Sequence, residues 1–113
     1  MVRVLEGMKV LDLSSYIAGP MAAMLLADHG AEVVKVERPD GDPARAHAGF
    51  LVWNRGKKGI TLDLKRPEGR SIARRLALEA DVVIENFKPG AAERFGLGYD
   101  DLARENPRLV YCS

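Results

Sequence analysis

Short β-branched runs alternate with helix-forming stretches along the whole chain, and this alternation constrains the fold more than any other feature. Val10-Leu11-Asp12-Leu13 is a strand candidate closed by Ser14 and Ser15. Gly19-Pro20 then opens a helix over Met21–His29, because proline suits a first helical turn and the segment is rich in Ala, Met and Leu. Gly30 ends that helix, and Glu32–Glu37 (EVVKVE) reads as a second strand. After a long irregular stretch, Gly59–Leu64 (GITLDL) predicts a third strand. Pro67 and Glu68 start a helix whose apolar stripe is Ile72, Ala73, Leu76, Ala77 and Ala80, with Arg70, Arg74, Arg75 and Glu79 outward. Asp81 leads into Val82-Val83-Ile84, two short helices cover Ala91–Arg94 and Asp101–Glu105, and Leu109–Cys112 is again strand-like. Strands alternating with helices imply an α/β fold, with a mostly parallel sheet and helices on both faces. Ligands of such sheets sit beyond the strands' carboxyl ends, so the loops of interest are Ser14–Pro20, Arg38–Lys58, Lys65-Arg66 and Glu85–Gly90.

The 113 residues make one domain, residues 1–113. Seventeen basic residues against sixteen acidic ones leave a formal charge of +1 and no basic face to attract a nucleic-acid backbone. A single cysteine, Cys112, has no disulfide partner and reads as a buried small hydrophobe; no Cys/His cluster has the spacing of a metal site. No apolar run approaches the roughly 20 residues of a membrane span, and MVRVLEGMKV lacks the apolar core of a secretory signal. The expectation is a soluble cytoplasmic protein with no membrane or nucleic-acid partner. Because the sequence finishes on a strand, it reads as part of a larger domain.

Two nucleotide motifs fail. The first loop, LSSYIAGPMAA, has one glycine where a dinucleotide fingerprint needs three, although Glu37 sits near the spacing of a ribose-binding acid. Asn54–Lys58 resembles a phosphate-loop ending, but Leu51 and Gly59 break the pattern. His29 is read as offsetting a helix dipole, His47 as an exposed loop residue, and Ser14 and Ser15 as turn formers; no catalytic triad is visible. The Arg38–Lys58 loop is too long for a simple connection. Arg38, Arg45, Arg55, Lys57, Lys58 and Lys65 offer cations near the strand ends, and Phe50–Trp53 offers an apolar cover, a combination suited to a nucleotide-bearing ligand.

Taken in order, three segments resemble the class III CoA-transferases, a family that includes the α-methylacyl-CoA racemases: LEGMKVLDLSSYIAGPMAAMLLADHGAEVVKVERPDGDPAR, NRGKKGITLDLKRPEG and ADVVIENFKPGAAERFGLGYDDLARENPRLVYCS. Within the family, Glu85-Asn86-Phe87 and Gly41-Asp42 match the transferase branch better than the racemases. The resemblance implies the N-terminal, CoA-binding part of a large Rossmann-like domain, in a homodimer whose chains interlock like links. It also implies transfer of CoA from an acyl-CoA donor to a carboxylic acid, with no metal. A catalytic aspartate attacks the thioester, an acyl-enzyme anhydride forms, and the returning CoA thiolate converts it to an enzyme thioester.

Carried onto this sequence, the family's CoA contacts fall on Ile17, Ala18, Arg38, Leu62, Asp63, Leu64, Lys65, Asn86, Phe87, Lys88 and Arg94. Arg38, Lys65 and Arg94 are expected at the phosphates; Ile17, Ala18, Leu62 and Phe87 are expected against adenine and the pantetheine arm. Formyl- and oxalyl-type members have Gln where Ile17 stands, which argues against those acyl groups. The nucleophilic aspartate is expected beyond Ser113, so this polypeptide alone is expected to be inactive, with Asp12, Asp28, Asp63 and Asp81 in scaffold positions. Three alternatives stand beside the transferase: a racemase-type enzyme working by proton transfer next to the thioester, a non-catalytic CoA- or nucleotide-binding module, and a structural remnant that only dimerises.

Overall fold

A computed structural model describes residues 3–113; Met1 and Val2, which begin the MVRVLEGMKV stretch, lie outside the described residues. Five strands form one sheet: β1 (Lys9–Asp12), β2 (Glu32–Glu37), β3 (Lys58–Thr61), β4 (Val82–Ile84) and β5 (Val110–Cys112). They lie in the order β3-β2-β1-β4-β5 and every neighbouring pair is parallel. Parallel neighbours need crossovers, and the helices α1 (Ala18–Asp28), α2 (Gly49–Trp53), α3 (Pro67–Leu78), α4 (Ala91–Arg94) and α5 (Tyr99–Ala103) supply them. The chain order reverses between β1 and β4, which is where a crevice opens in sheets of this kind.

Strand alternation explains why both faces are covered. On β1, Val10 packs with Ala23 and Val33 on the α1 face, while the next residue, Leu11, packs with Ala73, Ala77 and Leu102 on the other. Val83 and Ile84 divide between the two cores in the same way. The expected α/β fold with helices on both faces is therefore present. Predicted and observed elements coincide at Glu32–Glu37, Val82–Ile84 and Ala91–Arg94.

Four expectations need correction. The stretch between β2 and β3 is not irregular: it holds a 3₁₀ turn at Pro43–Ala46 and the short helix α2 (Gly49–Trp53). Ile72 is exposed, because the buried stripe of α3 is Gly69, Ala73 and Ala77, spaced one turn apart. Arg74 does not simply face water; it donates to the Gly96 carbonyl at 3.0 Å and reaches Glu105. Cys112 is exposed rather than buried, since β5 forms an edge of the sheet.

The small stripe of α3 lets its first turn lie directly on the loop that follows β3. A Cβ on Gly69 would stand 2.1 Å from the Asp63 carbonyl oxygen, and backbone cannot swing aside as a flexible side chain can. Gly69→Ala is expected to cost about 1–3 kcal/mol in urea unfolding, the usual range for overpacking. An unchanged midpoint would show that helix and loop are not in contact.

Candidate functional site

The carboxyl ends of β1 to β4 open onto a cleft of ≈ 550 Å³. Leu13, Val36, Leu62, Phe87 and Phe95 give it an apolar lining, with the two phenylalanine rings edge to face at 5.7 Å. Arg38, Lys65, Lys88 and Arg94 add four cations, and Asp40 and Asp63 two carboxylates. An apolar cavity edged by an excess of positive charge suits a ligand with one flat apolar part and one anionic part.

Local hydrogen bonds hold these groups in place. Asp63 turns the loop after β3 by accepting the Lys65 N–H at 3.0 Å, and Arg70 on α3 donates to the Leu64 carbonyl at 3.1 Å. Arg38 follows the last residue of β2. Its Nε donates to the Gly41 carbonyl at 3.2 Å and lies 2.9 Å from Asp40, so the cation is braced at the cleft edge. Across the reversal point, Asn86 grips Ser15 from both sides: its Nδ2 donates to the Ser15 carbonyl at 2.7 Å, and its Oδ1 accepts the Ser15 N–H at 2.9 Å. Gly19 allows α1 to begin against this loop, since a Cβ there would meet Ser14 at 2.2 Å.

Beneath the cleft lies a charge-balanced quartet that the sequence did not reveal. Lys57 donates to Asp12 at 2.8 Å, the Pro20 carbonyl at 2.9 Å and Asn54 at 2.8 Å, which uses all three of its protons. Lys35 sits 2.9 Å from Asp42 and donates to the Ser14 carbonyl at 2.9 Å. The four side chains are at most 3% exposed. Burial pulls the Lys57 ammonium below its ordinary pKa, and the nearby Asp12 carboxylate opposes that pull. Burial alone would raise the Asp42 pKa, but the Ala44 N–H, Lys35 and the Tyr16 N–H together lower it. Tyr16 itself has φ +69°, a left-handed conformation that costs a non-glycine residue of order 1–3 kcal/mol and persists only where its surroundings enforce it. One clue to Lys35 was present: it alternates onto the same strand face as Val33, which is fully buried. No pattern marks Lys57.

Of the eleven residues carried over by resemblance, Arg38, Leu62, Asp63, Leu64, Lys65, Phe87, Lys88 and Arg94 line the one cleft. Ile17, Ala18 and Asn86 do not line it; Ile17 and Ala18 are exposed where α1 begins, and Asn86 holds Ser15, which does line it. The resemblance did not supply the rest of the lining: Leu13, Ser15, Val36, Pro39, Asp40, Ala91 and Phe95. Sequence reasoning also misplaced several cations. Arg45 pairs with Glu37, Arg55 with Asp28, and Lys58 with Glu32 at the opposite end of the strands. Glu37 accepts the Asp42 N–H as well, so it is no free ribose-binding acid. The Phe50–Trp53 segment does not cover the cleft: Phe50 is buried under the Arg45 guanidinium at 4.6 Å, while Leu51 points to solvent. His29 caps its own helix by Nδ1 contact with the Leu25 carbonyl at 2.7 Å, and His47 is exposed. Among the described residues no helix is long and apolar enough to cross a membrane.

A family model described as CoA-transferase family III matches residues 5–113. The chain belongs to that family. It is 45% identical to the succinate–glutarate CoA-transferase of Agrobacterium fabrum over 96% of its own length, but spans 31% of that protein. A CAIB/BAIF family protein from Brucella suis superposes with a TM-score of 0.94 at 46% identity, over 97% of this chain and 32% of the other. Rv3272 from Mycobacterium tuberculosis, named a probable fatty acyl-CoA transferase, superposes with a TM-score of 0.91 at 50% identity, covering 96% of this chain and 31% of that one. The chain thus spans about a third of the length of the family III proteins it matches.

Three paired acids, Asp28, Glu37 and Asp42, tie the response of the fold to acid to their partners. The Arg45 guanidinium holds Glu37 below its ordinary 4.5, and Arg55 and the contacts named above hold Asp28 and Asp42 below 3.8. The folded chain therefore takes up these protons less readily than the unfolded chain. Their contribution is complete above the unfolded values and is lost as pH falls through the folded ones. Urea unfolding between pH 6 and pH 3 is expected to show constant stability down to about pH 4.5 and a steady decline below it. A flat profile would show that these contacts do not form in solution.

Proposed function

We propose that this chain is the CoA-binding part of a class III CoA-transferase, which moves CoA from an acyl-CoA donor to a carboxylic acid. The observation that carries this reading is the convergence of Arg38, Lys65, Lys88 and Arg94 on an apolar-lined cleft at the strand ends of a family III chain. The cations face the phosphates, and Leu62 and Phe87 pack against the adenine and the arm that follows it. Ile17 and Ala18 continue the site at the start of α1, while Asn86 acts through Ser15.

The chemistry explains why a firm grip on CoA matters. In an aspartyl acyl-enzyme mechanism the thiolate leaves when the carboxylate attacks the thioester, and it must then return to attack the aspartyl carbonyl of the anhydride, which expels the donor carboxylate and leaves an enzyme thioester. A handle held at the adenosine end keeps the thiolate at high local concentration between the two steps. The nucleophile belongs to another part of the protein. Asp12 and Asp28 are tied to Lys57 and Arg55, Asp63 to the Lys65 N–H and Asp81 to the Lys9 N–H, which supports their scaffold role. Exposed Met21 and Leu25 on α1, with Leu51 and Val52 on α2, supply apolar surface in keeping with an interlocked homodimer.

Titration calorimetry with coenzyme A is expected to show binding, weakened about tenfold or more by Arg38→Ala, as loss of a charge-assisted hydrogen bond worth about 1.5–3 kcal/mol requires. Absence of binding at millimolar CoA, or equal affinity in the variant, would overturn the assignment of the cleft.

A further inference from the structure

We propose that the buried Lys35–Asp42 pair is a positioning device for the ligand cleft, setting the shape of two of its loops without touching the ligand. This inference rests on the CoA-binding reading above and adds residues that reading does not use. The pair joins two chain segments. Asp42 ends the loop that carries Arg38, Pro39 and Asp40, all of which line the cleft. Its backbone N–H is fixed to Glu37 at 2.8 Å, and its Oδ1 caps the following turn through the Ala44 N–H at 2.9 Å. The same Oδ1 accepts the N–H of Tyr16, at 3.2 Å, in the loop after β1. Lys35 closes the link, meeting Asp42 on one side and the Ser14 carbonyl on the other.

Consequently the backbone of residues 14 to 16 is held by four side chains. Asp12 takes the Ser14 N–H, Lys35 the Ser14 carbonyl, Asn86 both polar groups of Ser15, and Asp42 the Tyr16 N–H. The left-handed Tyr16 is the mark of this grip, since a free loop would relax to negative φ. Neither Lys35 nor Asp42 lines the cleft, so a change in ligand affinity on altering them must travel through the loops.

The test pairs affinity for coenzyme A with amide exchange at Tyr16. In the unsubstituted protein the Tyr16 amide is expected to exchange slowly despite its exposed side chain. Asp42→Asn keeps one acceptor but leaves Lys35 uncompensated. The double variant Lys35→Met with Asp42→Leu removes both charges together, so that none is stranded and the fold survives. The double variant is expected to bind CoA at least tenfold more weakly and to expose the Tyr16 amide to rapid exchange. Ala77→Gly, a destabilising change in α3 remote from both loops, is expected to lower the melting temperature and leave CoA affinity and Tyr16 exchange unchanged. Equal CoA affinity in a folded double variant, or a Tyr16 amide that already exchanges freely in the unsubstituted protein, overturns the positioning role alone. If the unsubstituted protein does not bind CoA, the functional reading falls and this inference falls with it.

Discussion

The structure depends on a set of buried charges that must be paired. Asp12 and Lys35 stand in register on adjacent strands, and Lys57 and Asp42 complete a neutral group of four beneath the strand ends. Stranding one member of such a pair costs about 3–5 kcal/mol, a large part of the 5–15 kcal/mol that holds a typical domain together. An apolar core would have tolerated many arrangements of the loops above it. Buried ions tolerate few, because each ammonium proton and carboxylate oxygen needs a partner at hydrogen-bonding distance. Rigidity at the strand ends follows from that demand.

The cleft inherits this rigidity through short connections. Arg38 is one residue past β2, and Leu62 is one residue past β3. Glycines at 19 and 69 let helix starts press on the Ser14 side chain and the Asp63 backbone, so α1 and α3 act as walls rather than as distant covers. The cations at the cleft edge remain in water, where their attraction for phosphate is screened by salt but reversible. A fixed apolar lining with solvated charges at its edge suits a ligand with one flat apolar part and one anionic part.

Much of the fold was legible in the sequence because its signals were local. EVVKVE announces a strand by β-branching, and Pro67-Glu68 announces a helix start by backbone geometry and charge. Pro43–Ala46 and Gly49–Trp53 were not legible: each is too short to show a period, and Phe50 owes its burial to Arg45, a tertiary contact. Ile72 misled because the stripe rule assigns the largest apolar residue to the core, whereas α3 packs closely by presenting its smallest ones. The cations divided for a similar reason. Arg45, Arg55, Lys57 and Lys58 all have acids within reach that are distant in sequence, and only the folded chain says which lysines and arginines are left for a ligand.

The strand order carries one more consequence. Strands β1, β2 and β3 are contiguous in sequence and in space, whereas β4 must come back from the far edge to lie on the open side of β1. Only then do Asn86 and Phe87 reach the loop after β1 and the apolar lining. In chain order β1, β2 and β3 precede β4, so the cleft is complete only once the three-residue strand β4 lies beside β1. A chain arrested before residue 84 would possess Arg38 and Lys65, half of the basic groups at this cleft, and neither phenylalanine of its lining.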